Sequence, residues 1–313
     1  QHLSNTAWAF ATAGHASPQL FKAISAEVVR RVLGNFNPQD LSNTAWAFAT
    51  AGHESSELFN AISAEAVRRR LGGYSAQSLS ITAWAFATAG HASPELFNAI
   101  SAEAVRRRLN GFNEQNLSNT AWAFATAGHE SSELFNAISA EVVGRRLGGF
   151  KEQNLSITAW AFATAGHESP ELFNAIAAEA VRRRLGGFKE QELCNTAWAF
   201  ATAGLASPEL FNAISAETVR RRLGGFKEQS LSNMAWAFAT AGHEAPELFK
   251  AISAEAARRG LGGLTEQALS TIAWAFATSG HASPELFKAI SAEAARRGLG
   301  GFNEQALSNT AWA

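Results

Sequence analysis

The sequence has little of what most catalytic or covalently braced proteins use. One cysteine, Cys194, excludes a disulfide framework and a zinc site of several thiolates. No run of residues approaches the roughly 20 apolar positions that cross a bilayer as a helix. No segment alternates polar and apolar residues with period two, which argues against a sheet. There is no glycine-rich phosphate loop, no inward pair of carboxylates, and no Ser/His/Asp spacing that recurs. Net charge is also missing: 26 Lys and Arg face 27 Asp and Glu, so the chain as a whole is no polyanion trap. No signal or transit segment is legible, and the first residues already read as part of a repeat. These absences predict a protein without catalytic residues, cofactor or metal.

What is present is repetition. Trp8, Trp46, Trp84, Trp122, Trp160, Trp198, Trp236, Trp274 and Trp312 are each 38 residues from the next. Counting from the leucine two residues before Asn5, position 1 of each copy is Leu3, Leu41, Leu79, Leu117, Leu155, Leu193, Leu231, Leu269 or Leu307. Eight full copies and a partial ninth follow one another without insertion or deletion, which predicts one elongated domain over residues 1–313.

Each copy carries two helix patterns. Asn37-Pro38 places an N-cap before a proline at the first helical position. From there the spacing predicts a helix over positions 36 to 11 of the next copy, stopped by a glycine such as Gly14 or Gly52. A second helix of about 16 residues begins at Ser-Pro pairs such as Ser93-Pro94 and runs toward Leu147-Gly148-Gly149 and its equivalents. Leu20, Phe21, Ile24 and Val28 share one side of it, and Val29 and Leu33 another, which predicts a helix covered on two sides. Phe36, Phe112 and Phe150 should close the joints between copies. The fold class is therefore all-α, an alpha-alpha superhelix whose units are stable only when stacked. Analogy with other two-helix repeats predicts right-handed winding with the first helices on the inner face. Leu307 and Trp312 lack a second helix to cover them, so the expectation is either an excerpt of a longer repeat array or ends that dock against protein subunits of a larger complex.

The copies differ at few positions, and these nominate a site. Position 38 varies most: His2, Asp40, Ser78, Asn116, Asn154, Glu192, Ser230, Ala268 and Ala306. Position 3 also changes: Asn5, Asn43, Ile81, Asn119, Ile157, Asn195, Asn233, Thr271 and Asn309. Position 4 is threonine except for Met234 and Ile272. Positions 38, 3 and 4 are three and four residues apart, so they share a helix face, continued by small residues at positions 7 and 11. Short polar side chains of this kind hydrogen-bond base edges, and helical repeats that read one base each are an established way to bind single-stranded RNA. Drift of solvated first-turn residues explains the same variation equally well. A column of arginines at position 29 follows the same period: Arg31, Arg69, Arg107, Arg145, Arg183, Arg221, Arg259 and Arg297. These are candidates for RNA phosphate, with salt bridges to the glutamates at position 25 as the plainer reading. The tryptophans could stack on bases, but their size and place beside the apolar stripe favour packing. Seven histidines at position 13 read as polar residues after a helix end rather than a metal ladder.

The 38-residue helical pair with Leu-Ser-Asn-Thr-Ala-Trp-Ala-Phe-Ala-Thr-Ala-Gly in its first helix resembles the octotricopeptide repeat proteins, related to the repeats of RAP-domain proteins. The resemblance covers the whole chain and implies non-catalytic, sequence-directed binding of single-stranded RNA in a chloroplast or mitochondrion, for RNA stability, processing, translation or ribosome assembly. It implies about eight or nine nucleotides bound, with the variable first-helix residues facing the RNA. No RAP domain is present in this sequence, and the copies are unusually uniform. A protein-binding or structural scaffold within a large assembly is the alternative, favoured by the neutral charge.

Overall fold

The repeat sets the architecture. The computed structural model describes every residue except Ala16, Val32, Ala206, Ala282, Ala313 and the side chain of Trp312. The expectation about Trp312 therefore lies outside the described residues. All described elements are helical. First helices, here called A, span His2–Thr12, Pro38–Thr50, Ala76–Thr88, Glu114–Thr126, Glu152–Thr164, Glu190–Thr202, Glu228–Thr240, Glu266–Thr278 and Glu304–Trp312. Second helices, here called B, span Pro18–Arg30, Ser56–Arg68, Pro94–Arg106, Ser132–Gly144, Pro170–Arg182, Pro208–Arg220, Pro246–Arg259 and Pro284–Arg297. Alternating A and B helices with no strand among the described residues make an alpha-alpha solenoid.

The A helices begin and end as their sequence dictates. Asn37 accepts from the Asp40 N–H at 2.7 Å, and Asp40 accepts in return from the Asn37 N–H, which closes a capping box. At the other end Gly52 takes φ +62°, a conformation costly for a residue with a Cβ. The turn lets the His53 N–H reach the Phe48 carbonyl at 3.0 Å. The B helices stop about three residues sooner than their sequence predicts. Most end at position 28, and the chain leaves through residues in left-handed geometry such as Arg70 (φ 51°) and Leu71 (φ 52°).

The contacts divide into two units: Gln1–Asn154 with Thr164–Ser169, and Leu155–Ala163 with Pro170–Ala313. In each, A helices pack chiefly on the A helices of adjacent repeats, and B helices on B helices. Alanine at position 7 makes this close approach possible: Ala47, Ala85 and Ala123 in the first unit, and Ala199 and Ala237 in the second, are fully buried. Leu41, Phe48, Phe59 and Ile62 show how each repeat fills the space between its two helices. Each is fully or almost fully buried, and full burial of such a side chain stabilises by roughly 1.5–3 kcal/mol. Phe36, Phe112 and Phe150 are buried at the joints as their position predicts. The second side of the B helix is covered only in part: Val29 and Val143 are exposed, whereas Leu33, just beyond the helix, is buried like the stripe of Phe21, Ile24 and Val28. Among the described residues no helix is long and apolar enough to cross a membrane.

Candidate nucleic-acid interface

One stripe of each A helix from Pro38–Thr50 to Glu266–Thr278 is left uncovered by its neighbours. It runs through positions 37, 3, 6 and 10, spaced i, i+4, i+7 and i+11. In one repeat these are Gln191, Asn195, Trp198 and Thr202. Gln191 donates through Nε2 to Asn195 Oδ1 at 2.8 Å, and Gln229 to Asn233 at 2.9 Å. Gln305 and Asn309 repeat the bond at 2.9 Å. Position 3 is exposed at Asn5 and half-buried at Asn43, Ile81, Asn119, Ile157, Asn195, Asn233, Thr271 and Asn309. The glutamines at position 37 are exposed throughout.

The tryptophans complete this stripe. They are not core residues: Trp8 is 47% exposed, and Trp46, Trp84 and Trp198 are half-buried. In the first unit Trp8, Trp46, Trp84 and Trp122 form a ladder with ring centroids 6.3–6.5 Å apart and planes inclined by 29–34°. In the second, Trp160, Trp198 and Trp236 do the same at 6.2–6.3 Å. The preference for packing holds only in part, because the rings pack on one another and keep an edge or face in solvent.

Between the starts of the A helices at Pro38 and Ala76 lies an open groove of about 290 Å³. Gln39, Asn43, Ser75, Gln77 and Ile81 are among the residues that line it. Position 3 is thus brought to a concave, polar surface as expected. Position 37 was missed from the sequence because it barely varies, although its spacing from position 3 places both on one stripe.

Position 38 does not share that stripe. Asp40, Ser78, Asn116, Asn154, Glu192, Ser230, Ala268 and Ala306 are only 1–7% exposed, and His2 alone of the column is open. The reason is helix capping. Position 38 is the third residue of the A helix, where a side chain turns back to the N-cap amide. Asn116 accepts from the Asn113 N–H at 3.2 Å, Asn154 from Lys151 at 3.2 Å, and Glu192 from Lys189 at 2.8 Å. Asn154 also donates to Ser118 Oγ of the neighbouring A helix at 3.0 Å. These residues form the groove floor and the seam between A helices. Position 4 is buried as well, and Thr44 spends its hydroxyl on the Asp40 carbonyl at 2.7 Å. The expected face of positions 38, 3, 4, 7 and 11 is therefore split: positions 3 and 11 reach the surface, while 38, 4 and 7 are buried in the inner repeats.

The arginines at position 29 are turned inward, except Arg31, whose side chain is 53% exposed. Arg69 donates through Nε to Glu65 at 2.6 Å, through Nη1 to the Phe36 carbonyl at 2.7 Å and through Nη2 to the Leu33 carbonyl at 2.6 Å. Arg221, Arg259 and Arg297 grip the preceding turn in the same way. Arg107 holds the Tyr74 carbonyl at 2.6 Å, and Arg145 bridges Glu141 and Glu114. Arg183 pairs with Glu179 at 2.6 Å, and Arg31 with Glu27 at 2.7 Å. Six of the eight arginines assigned to RNA phosphate, Arg69, Arg107, Arg145, Arg221, Arg259 and Arg297, are thus clamps between repeats, because a planar guanidinium satisfies several acceptors at once. Position 28 faces outward instead: the Arg68 side chain is 66% exposed against 16% for Arg69. Its bidentate hydrogen bond to Glu65, aided by Arg69, holds that carboxyl down at about 2.

The histidines have a packing role. His91 lies against Phe59 with centroids 5.4 Å apart, and its Nε2 meets Asn60 Oδ1 at 3.0 Å. His129, His167 and His243 repeat the bond to asparagine. Burial pushes the imidazoles of His91, His129, His167, His243 and His281 below the ordinary histidine range. No cluster of three potential metal ligands exists among the described residues. Cys194 is buried, donates to the Ser230 carbonyl at 3.4 Å, and is pushed up to about 12 by burial.

A sequence model of the RNA-editing substrate-binding complex 6 protein matches residues 1–184. No curated protein sequence matches the chain. The family match covers more than half of the 313 residues and falls on the helical repeats that carry the groove, so this chain belongs to the RNA-editing substrate-binding complex 6 protein family.

Proposed function

We propose that this protein is a non-catalytic scaffold that binds single-stranded RNA along the exposed stripe of its A helices, one base per repeat, as a subunit of an RNA-editing substrate-binding complex. The tryptophan ladder beside the polar groove carries the reading. Its 6.2–6.5 Å ring spacing is close to twice the ~3.4 Å rise of stacked bases. That spacing suits one unstacked base per repeat on an aromatic platform. The Gln and Asn (or Ile, or Thr) of positions 37 and 3 then address the base edge, and position 38 acts only from the groove floor. The octotricopeptide likeness supports the one-base register, and the family supports RNA and protein subunits as partners. An RNA-editing family favours the mitochondrion and gives the chloroplast no support.

Titration with fluorescent single-stranded RNA tests this. Trp84→Ala is expected to weaken binding about 5- to 150-fold, equivalent to roughly 1–3 kcal/mol for one stacked base. Asn119→Ile is expected to change the preference at one nucleotide of a randomised RNA pool. The neutral charge favours protein scaffolding as the second reading. Wild-type protein that ignores RNA while binding its complex partners would establish that reading instead.

A further inference from the structure

Five arginines occupy backbone geometry that L-residues avoid. Arg70, Arg108, Arg146, Arg184 and Arg222 stand at position 30, just past the B helices, with φ of 51–56°. A Cβ disfavours this region. Position 30 does not require arginine: it is glycine at Gly260 (φ 72°) and Gly298 (φ 74°), where the B helix runs one residue longer and the chain also leaves through a positive φ. Nor does the side chain hold the fold together. All five are exposed, and none has an ion pair or side-chain hydrogen bond to another described residue. This sets them apart from position 29, whose guanidinium clamps the preceding turn, and from position 28, which is neutralised by a glutamate. Among the arginines, they are the ones no carboxylate neutralises.

Their place in the turn gives them a partner. Arg70 precedes Gly73 and Ser75, which line the groove beside Gln77 and Ile81. Three residues of chain span at most about 11 Å, so the backbone of Arg70 lies within that distance of a groove-lining residue, and its exposed side chain is within reach of a strand lying in the groove. We propose that the position-30 arginines bind the phosphodiester backbone of the RNA whose bases lie on the A-helix stripe, a role that rests on the function proposed above. In these five repeats the strained φ accompanies a guanidinium that stays free in solvent beside the A-helix starts.

Arg70→Gly, Arg108→Gly and Arg146→Gly together, in the full chain, test this. The probe is single-stranded RNA of mixed sequence, titrated at several salt concentrations. The variant is expected to bind all sequences more weakly, with the slope of log affinity against log salt flattened by about 2, from roughly 0.7 per lost phosphate contact. Its Tm is expected to equal or exceed that of the wild type, since glycine relieves the backbone. Should the glycine variant not fold, the corresponding Arg→Gln triple keeps the backbone strain, removes only charge, and reads the same slope. RNA binding with an unchanged slope overturns the assignment alone. A lowered Tm with an unchanged slope assigns the arginines to the turn and also overturns it. Wild-type protein that binds no RNA overturns the proposed function, and this assignment with it.

Discussion

Arg258 and Arg259 are adjacent and chemically identical, yet the structure predicts very different consequences for losing each. The Arg259 side chain is 17% exposed and that of Arg258 64%. Arg259 donates to the Phe226 carbonyl at 2.6 Å and the Leu223 carbonyl at 2.7 Å, with a longer bond to Gly224 at 3.1 Å. Two well-formed hydrogen bonds from a charged donor contribute about 1.5–3 kcal/mol each. Ordering a long side chain offsets up to about 2 kcal/mol of that. Arg259→Met is therefore expected to destabilise the protein by about 1–6 kcal/mol. Arg258 offers one exposed i,i+3 pair with Glu255, worth about 0.5 kcal/mol or less. Arg258→Met is expected to fall within that. Urea unfolding of the two variants gives the comparison. Hydrogen exchange should show the extra opening at the turn around Leu223–Phe226, where the clamp is released. Equal losses for the two variants, or a loss below 1 kcal/mol at Arg259, would refute the clamp.

Tyr74 replaces the joint phenylalanine of other repeats, and its buried hydroxyl has no hydrogen-bond partner among the described residues. Tyr74→Phe is expected to stabilise by about 1–3 kcal/mol in urea unfolding, since it removes an unsatisfied polar group without changing the packing. Stability should also depend on pH through the histidine column. The imidazoles of the folded state lie below their ordinary value, so the unfolded chain binds more protons as pH falls through about 6.5. The contribution is fully present above that pH and drains away below it. The position-25 carboxylates, held near 2, contribute fully above about 4.5 and lose that contribution progressively as the pH falls from there toward 2. Tm is expected to be lower at pH 5.5 than at 7.5, and replacing His91, His129 and His167 together with asparagine should flatten the difference. An equal Tm at the two pH values in the wild type would contradict the burial argument.

The sequence by itself determined the repeat, the helix pair and the ends of the A helices. A 38-residue period without slippage is covalent information, and caps such as Asn37-Pro38 and stops such as Gly52 act within one turn of chain. It also placed position 3 in the candidate site. Tertiary structure decided which stripe of the A helix reaches solvent. Leu, Ser, Thr, Ala and Trp surround that helix, so its polarity is weak on every side and names no outer face. Only stacking against adjacent A helices buries positions 38, 4 and 7 and leaves 37, 3 and 6 open. The arginines make the same point more sharply. Arg68, Arg69 and Arg70 are one run of like residues, and nothing local distinguishes them. The helix ends among them and the chain turns left-handed. One guanidinium then points to glutamate, one to the carbonyls of the preceding repeat and one to solvent.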